Sequence, residues 1–136
     1  MRVDGILITV RVEICNNNQS AKSMLEKKYK EEIEKINRNF FTCYLRQAMV
    51  SSTSPDTICI DIPDPDNNGE NTRRAFEGIL PFLLEHKEHI VSIHVESINK
   101  ELQDYVDIGF LASEDIRVGD NSGFNNGVYK YSVILK

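Results

Sequence analysis

The chain has 136 residues, of which 40% are hydrophobic and 27% charged, as in an ordinary globular domain. Its formal net charge of −5 argues against nucleic acid or an anionic membrane as a partner, since both select basic surfaces. Three widely spaced cysteines without Cys/His ligand spacing predict no disulfide framework, no metal site and a reducing, cytoplasmic location.

Alternating apolar residues from Ile6 to Ile14 predict a first strand with one apolar and one mixed face. The stretch from Met1 to Val12 lacks a basic leader, so we expect no secretory signal, and no apolar run is long enough to cross a membrane. Apolar residues then recur every three or four positions, which predicts an amphipathic helix from about Ser20 to Arg38.

A second strand is predicted at Phe41–Arg46, where apolar and polar residues alternate again. The segment Ser51–Asp56 is rich in Ser, Thr and Pro and predicts a turn. A third strand follows at Thr57–Ile62, and the short connection favours antiparallel pairing of these two strands.

From this third strand onward the chain is predicted to run strand, helix, strand, helix, strand, strand. A Pro/Asp/Asn loop opens the first helix, in which Pro81 should introduce a kink or a break. The predicted elements are the loop Pro63–Glu70, a helix capped by Asn71 or Thr72 and closed by His86–His89, a strand at Val91–Val95, a short helix at Asn99–Ile108 ended by Gly109, a strand at Phe110–Val118, a loop at Gly119–Gly127 and a strand at Tyr129–Leu135.

The fold class expected from this order is α/β or α+β: one domain over residues 1–136, with a mixed, mostly antiparallel sheet flanked by helices. The apolar, Tyr-bearing last strand leaves a homodimer, formed by pairing at a sheet edge, as an open alternative to a monomer.

The last 80 residues or so carry a family resemblance. A strand is followed by Asn99, a short helix bearing Tyr105, and then Gly109 and Phe110, which open the next strand. In identity and spacing this resembles the GNAT-type acetyl-CoA-dependent N-acetyltransferases. The last strand, Tyr129–Leu135, also matches the usual final strand of that family.

The resemblance implies transfer of an acetyl group from acetyl-CoA to the amine of a small molecule or protein. Tyr105 would protonate the leaving thiolate, and Asp61 or Glu96 would accept the amine proton. Backbone amides between splayed strands at Thr57–Ile62 and Val91–Val95 would polarise the thioester carbonyl. The residues implied in cofactor binding are Asn68, Gly69, Arg73, Arg74 and Asn99.

The same residues also have structural interpretations. Tyr105 lies at helical spacing with core residues, Gly109 suits a helix C-terminus, and Arg73 suits a solvated first turn. The family's glycine-rich cofactor turn is represented by Gly69 alone, among acidic residues. A non-catalytic GNAT-like or regulatory α/β interaction module that does not bind coenzyme A is therefore the alternative, and a domain resembling anti-sigma-factor antagonists is a third.

Overall fold

A computed structural model describes residues 6–15, 19–37, 49–54, 57–64, 69–125 and 127–136. These residues contain six strands and three α-helices, with a short 3₁₀ turn at Lys87–His89. In chain order the elements are β1 (Ile6–Ile14), α1 (Gln19–Asn37), β2 (Met49–Ser54), β3 (Thr57–Asp64), α2 (Glu70–Glu85), β4 (Ile90–Ser97), α3 (Glu101–Asp107), β5 (Ile116–Asn125) and β6 (Val128–Leu135). Within the described residues, no helix is both long and apolar enough to cross a bilayer.

The strands form one sheet in the order β2-β3-β1-β4-β6-β5, with β1 in its interior. Each neighbouring pair is antiparallel. Val12 lies opposite Ile58 on β3 and opposite Ile93 on β4, so β1 is paired on both sides. The elements from β1 to β4 thus have the β-α-β-β-α-β organisation of the ferredoxin-like fold, and the β5–β6 hairpin extends its sheet beyond β4.

One face of this sheet is covered by helices. Because side chains alternate along a strand, every second residue of β1 from Ile6 to Ile14 points to that face and is buried. Helices α1 and α2 pack on each other and on the sheet there. Their buried residues join the same core; they are Ala21, Leu25, Tyr29, Ile33, Ala75, Phe76, Ile79 and Leu83. Each fully buried aliphatic side chain in such a core contributes roughly 1.5–3 kcal/mol.

The predicted fold class is confirmed, and so is the order of the second half, from β3 through α2, β4, α3 and β5 to β6. The predicted strand at Ile6–Ile14 and the first helix are also confirmed, since α1 occupies Gln19–Asn37. The sheet is less mixed than expected, because all of its described pairings are antiparallel.

The turn predicted at Ser51–Asp56 is wrong for its first four residues, which belong to β2. Met49 and Val50 pair with Asp61 and Ile60 of β3, and these tertiary hydrogen bonds outweigh the local turn preference of Ser and Thr. The strand predicted at Phe41–Arg46 lies outside the described residues.

Two further boundaries differ. The strand predicted at Phe110–Val118 begins only at Ile116, because Phe110 and Leu111 turn into the core after α3. Most of the loop predicted at Gly119–Gly127 is strand, since β5 pairs with β6 up to Asn125 through register shifts that absorb its irregular sequence.

The remaining corrections concern Pro81 and the last strand. The break predicted at Pro81 is wrong, because helix α2 continues through it, while the kink stays a prediction. Buried residues on either side, Ile79 and Leu83, hold both halves of the helix in the core. Strand β6 lies between β4 and β5 and pairs with β4 from Tyr129 to Ser132, so it is not the sheet edge that the predicted pairing with another subunit requires.

Tyr29 provides a test of the core. Its side chain is fully buried in α1, and its hydroxyl makes no hydrogen bond to any described residue. Burial raises the pKa of this hydroxyl above its ordinary value of 10.0. An unsatisfied buried hydroxyl costs about 1–3 kcal/mol.

We therefore expect Tyr29→Phe to raise the free energy of unfolding by about 1 kcal/mol in urea denaturation. Tyr29→Ala, which removes the ring as well, should lower it by about 3–5 kcal/mol. A Tyr29→Phe protein that is less stable than the wild type would contradict this assignment.

Candidate functional site

The face of the sheet opposite α1 and α2 carries polar side chains across three neighbouring strands. They alternate along β1, β3 and β4 with the residues that face the helices, and all except the buried Cys59 are at least partly exposed. The cross-strand rows are Asp61–Thr9–Glu96, Cys59–Arg11–His94 and Thr57–Glu13–Ser92, with Lys130 and Ser132 of β6 continuing the first two. We call these eleven residues the polar face.

An ion pair lies at the centre of the polar face. The Arg11 Nε donates a hydrogen bond to Glu96 Oε1 at 2.5 Å. The Glu96 side chain is only 14% exposed and that of Arg11 38%. This bond raises the pKa of Arg11 above its ordinary value, so the guanidinium stays charged. A charge-assisted bond this shielded is stronger than an exposed surface pair, and loss of either partner would leave a half-buried charge.

The other carboxylates of the polar face also accept hydrogen bonds from the neighbouring strand. Thr9 Oγ1 donates to Asp61 Oδ1 at 2.7 Å, and Ser92 Oγ donates to Glu13 Oε1 at 3.3 Å. Asp61 and Glu96, the two predicted bases, are therefore brought onto one face, on either side of Thr9. Each is held by a donor on β1.

His94 lies beside Arg11 in the middle row. Burial lowers the pKa of this imidazole below its ordinary value of 6.5, and the positive charge of Lys130 lowers it further against the opposing effects of Glu96 and Glu13. His94 is therefore neutral at pH 7, with one ring nitrogen that donates and one that accepts a hydrogen bond.

Tyr105, the predicted acid, lies in a different place. It is 5% exposed and belongs to the core on the helix-covered side, together with Leu102. The sheet therefore lies between Tyr105 and the carboxylates of Asp61 and Glu96. The structure does not bring the predicted acid and bases together.

The spacing of Tyr105, Gly109 and Phe110 is explained by the end of α3. Gly109 has φ 71°, its N–H donates to the Val106 carbonyl at 2.9 Å, and the Phe110 N–H donates to the Tyr105 carbonyl at 3.0 Å. These two bonds define a Schellman motif. Such a motif usually includes an apolar contact between the third residue from the helix end, here Tyr105, and the residue after the glycine, here Phe110. That contact is present, since the Tyr105 and Phe110 rings lie 5.8 Å apart.

Gly69, a predicted cofactor residue, begins α2 and contacts this cap. Its φ is 72°, and a Cβ atom added there would lie 2.7 Å from Phe110 Cδ2 and 3.2 Å from Tyr105 Cδ2. Gly69 is thus required for the approach of α2 to α3. It occupies the N-cap in place of the predicted Asn71 or Thr72. The neighbouring predicted residue, Asn68, lies outside the described residues.

The two predicted phosphate-binding arginines form ion pairs within their own helix. Arg73 donates to Glu70, and its Nη1 donates to Glu77 Oε2 at 2.5 Å. Arg74 Nε donates to Glu70 Oε2 at 3.2 Å. The hydrogen bond from Arg73 lowers the pKa of Glu70, which keeps this carboxylate ionised and paired at the start of α2.

Asn99, the last predicted cofactor residue, joins β4 to β1. Its Oδ1 accepts a hydrogen bond from the Leu7 N–H at 3.4 Å. Ser97 Oγ donates its one hydrogen to the Leu7 carbonyl at 2.7 Å and accepts the Asn99 N–H at 3.0 Å. These side chains extend the β1–β4 pairing beyond the end of β4.

Strand β1 occupies the position where the cofactor cleft was expected. The strands at Thr57–Ile62 and Val91–Val95 are not splayed neighbours, because β1 lies between them and is hydrogen-bonded to both. Together with the packed Gly69 and the paired arginines, the residues present do not fit an acetyl-CoA site.

The structure adds residues that the sequence patterns did not single out, above all Arg11 and Lys130. The alternation from Ile6 to Ile14 placed Arg11 on the mixed face of β1, but its neighbours depend on the strand order. Among the residues described, no group of three or more His, Cys, Asp or Glu side chains is arranged to hold a metal ion.

Comparison with known proteins gives little guidance. No family model matches the chain, and no curated protein matches it. One matching solved structure is that of the aspartate kinase of Clostridium acetobutylicum, an allosteric enzyme, at 10% identity and a TM-score of 0.29. The alignment covers 96% of this chain and 29% of that one, so the chain spans less than a third of the kinase. A similarity at this level carries no argument about function.

The role of Gly69 can be tested with a matched glycine. Gly127 also has a positive φ, of 80°, but an added Cβ would have no atom within 4 Å. Gly127→Ala should lower the free energy of unfolding by about 1–2 kcal/mol, through left-handed backbone strain alone. Gly69→Ala should lower it by about 1–3 kcal/mol more, because Phe110 must move. Urea denaturation of both variants measures the difference, and equal losses would show that the packing at Gly69 is unimportant.

The depressed pKa of His94 makes stability depend on pH. The unfolded chain binds a proton near pH 6.5, while folded His94 binds it only at lower pH. The contribution of His94 to the free energy of unfolding is therefore fully present above about pH 6.5. It is lost as the pH falls towards the pKa of His94 in the folded protein. His94→Gln should flatten the pH dependence of the unfolding free energy between about pH 7 and 5. Lys130→Gln should flatten it only in part, since burial is the larger cause; an unchanged slope in His94→Gln would refute the assignment.

Proposed function

We propose that this protein is a non-catalytic, regulatory α/β interaction module, and that the polar face is its recognition surface for a protein partner. We further propose a cytoplasmic location, in keeping with Cys15 and Cys59, which are free thiols. In this role the sheet presents a rigid, charged surface, and the chain carries out no acyl transfer.

The observation that carries the proposal is the position of β1. A strand hydrogen-bonded on both sides leaves no opening between β3 and β4 for the arm of an acyl cofactor. The same strand supplies Thr9, Arg11 and Glu13 to the polar face. The feature that disfavours catalysis is therefore the one that builds the surface.

The charge pattern of the polar face suits a protein partner. The face spans four strands and about five residues along each, or about 19 Å by 17 Å and roughly 300 Å², so it can form the centre of an interface in which each partner buries about 800 Å². Arg11 and Lys130 face Asp61, Glu96 and Glu13, so both charge signs are present. Such mixed charge favours a partner of complementary pattern and fixes its register.

An N-acetyltransferase remains the second candidate, supported by the element order from β3 to β6 and by the residues Asn99, Tyr105, Gly109 and Phe110. The two candidates differ in one measurable property. The enzyme requires saturable binding of acetyl-CoA, whereas the module requires a protein partner that contacts the polar face.

The test compares two charge reversals. Arg11→Glu places a third acid beside Glu96 and Asp61, whereas Lys27→Glu makes the same change of charge on the exposed side of α1. A partner captured with the tagged wild-type chain and then purified should bind Arg11→Glu at least about thirtyfold more weakly, or about 2 kcal/mol. Its affinity for Lys27→Glu should stay within about threefold of wild type.

Circular dichroism and thermal unfolding of both variants establish that they are folded. Equal affinity of the partner for Arg11→Glu and wild type would remove the polar face from the proposal. Calorimetric titration with acetyl-CoA should give no saturable heat at high micromolar concentration. Saturable heat together with amine-dependent release of free thiol would replace the module with the acetyltransferase.

A further inference from the structure

A small cavity opens on the helix-covered side of the sheet, between α2 and the segment that joins α3 to β5. Its volume is about 120 Å³. Phe76, Leu80, Phe110, Leu111 and Ile116 form the apolar part of its walls. None of these residues belongs to the polar face.

The cavity is preformed, because its walls are fixed by the core. Phe76, Leu111 and Ile116 are each exposed by 3% or less. Phe110 is held by the Schellman motif that ends α3. Walls fixed in this way cannot collapse to fill the space without disturbing the core.

The segment opposite α2 is clamped as well. The Ser113 N–H donates to the Ile116 carbonyl at 3.0 Å, and Ser113 Oγ accepts the backbone N–H groups of Asp115 and Ile116 at 3.3 Å. The Lys136 N–H donates to the Asp115 carbonyl at 2.8 Å, which ties this turn to the end of β6. Since Ser113 Oγ uses its acceptor sites in the turn, its hydrogen is the group it can offer to a ligand.

The size of the cavity limits the ligand. An apolar protein cavity of about 150 Å³ stays dry and binds benzene. The present cavity, of about 120 Å³, therefore accommodates a hydrocarbon group of about five or six carbons, with any larger part at the opening.

The rim limits the charge of the ligand. Arg73 and Glu77 line the opening and form an ion pair with Arg73 Nη1 2.5 Å from Glu77 Oε2, while Arg73 also donates to Glu70. Each of these charges is already compensated. A carboxylate or ammonium group on the ligand would have to displace a partner held on the same helix, whereas an uncharged group would not.

We propose that this cavity binds a small uncharged amphiphile, with a branched or aromatic group of about five or six carbons and one oxygen that accepts a hydrogen bond from Ser113. The cavity lies across the sheet from the polar face, so the test of ligand binding is independent of the test of the proposed function.

The test uses three probes that share a phenyl ring and differ in charge: benzyl alcohol, benzoate and benzylammonium. In titrations of the isotope-labelled chain followed by amide NMR, benzyl alcohol should saturate with a Kd in the low-millimolar range, about 4 kcal/mol. Shifts should centre on residues 73–80 and 110–116. Benzoate and benzylammonium should bind at least about tenfold more weakly because of the ion-paired rim.

Two phenylalanine variants in the same exposed turn provide the control. Ala112 lines the cavity and Glu114 does not, and both are exposed. Ala112→Phe should weaken benzyl alcohol binding at least tenfold, while Glu114→Phe should leave it unchanged. Ser113→Ala should weaken it several-fold and serves if Ala112→Phe fails to fold.

Three results would overturn the proposal. They are the absence of saturable shifts with benzyl alcohol, shifts centred elsewhere on the chain, and charged probes that bind as tightly as the alcohol. Unchanged affinity in a folded Ala112→Phe protein would also exclude this cavity as the site.

Discussion

The two-sided pairing of β1 is the constraint on which the rest of the structure depends. This strand is hydrogen-bonded to β3 and β4, and its alternate residues from Ile6 to Ile14 form the centre of the core. The residues between them, Thr9, Arg11 and Glu13, are fixed on the opposite face by the same backbone geometry. A shift of one residue in this register would exchange the two sets, burying charge and exposing the core.

The sheet separates two kinds of chemistry. On one face the carboxylates are held by donors from the neighbouring strand, as in the Arg11–Glu96 pair, and the environment is polar and partly shielded. On the other face, Phe76 and Phe110 line an apolar cavity with an ion-paired rim. Groups on opposite faces cannot act on one small substrate, so the polar face and the cavity are chemically separate surfaces.

A short sequence motif can have a structural origin. Asn99, Tyr105, Gly109 and Phe110 resemble an acetyltransferase pattern, yet each has a role in building this fold. Asn99 extends the β1–β4 pairing, Gly109 takes the left-handed conformation that ends α3, and Phe110 packs on Tyr105. Gly69 then allows α2 to approach that packed pair. The spacing follows from helix-capping geometry, which recurs in many unrelated proteins.

The sequence by itself determined the elements with strong periodicity: β1, α1 and the order from β3 to β6. It also determined that β1 has one apolar and one mixed face, since side-chain alternation is a local property. Only the tertiary structure decided that β1 lies between β3 and β4, that Ser51–Ser54 is strand, and that Arg11 meets Glu96. Strand order and long-range pairs arise from packing between distant segments, which local patterns do not encode. The candidate site depended on those pairs, and it therefore emerged only with the fold.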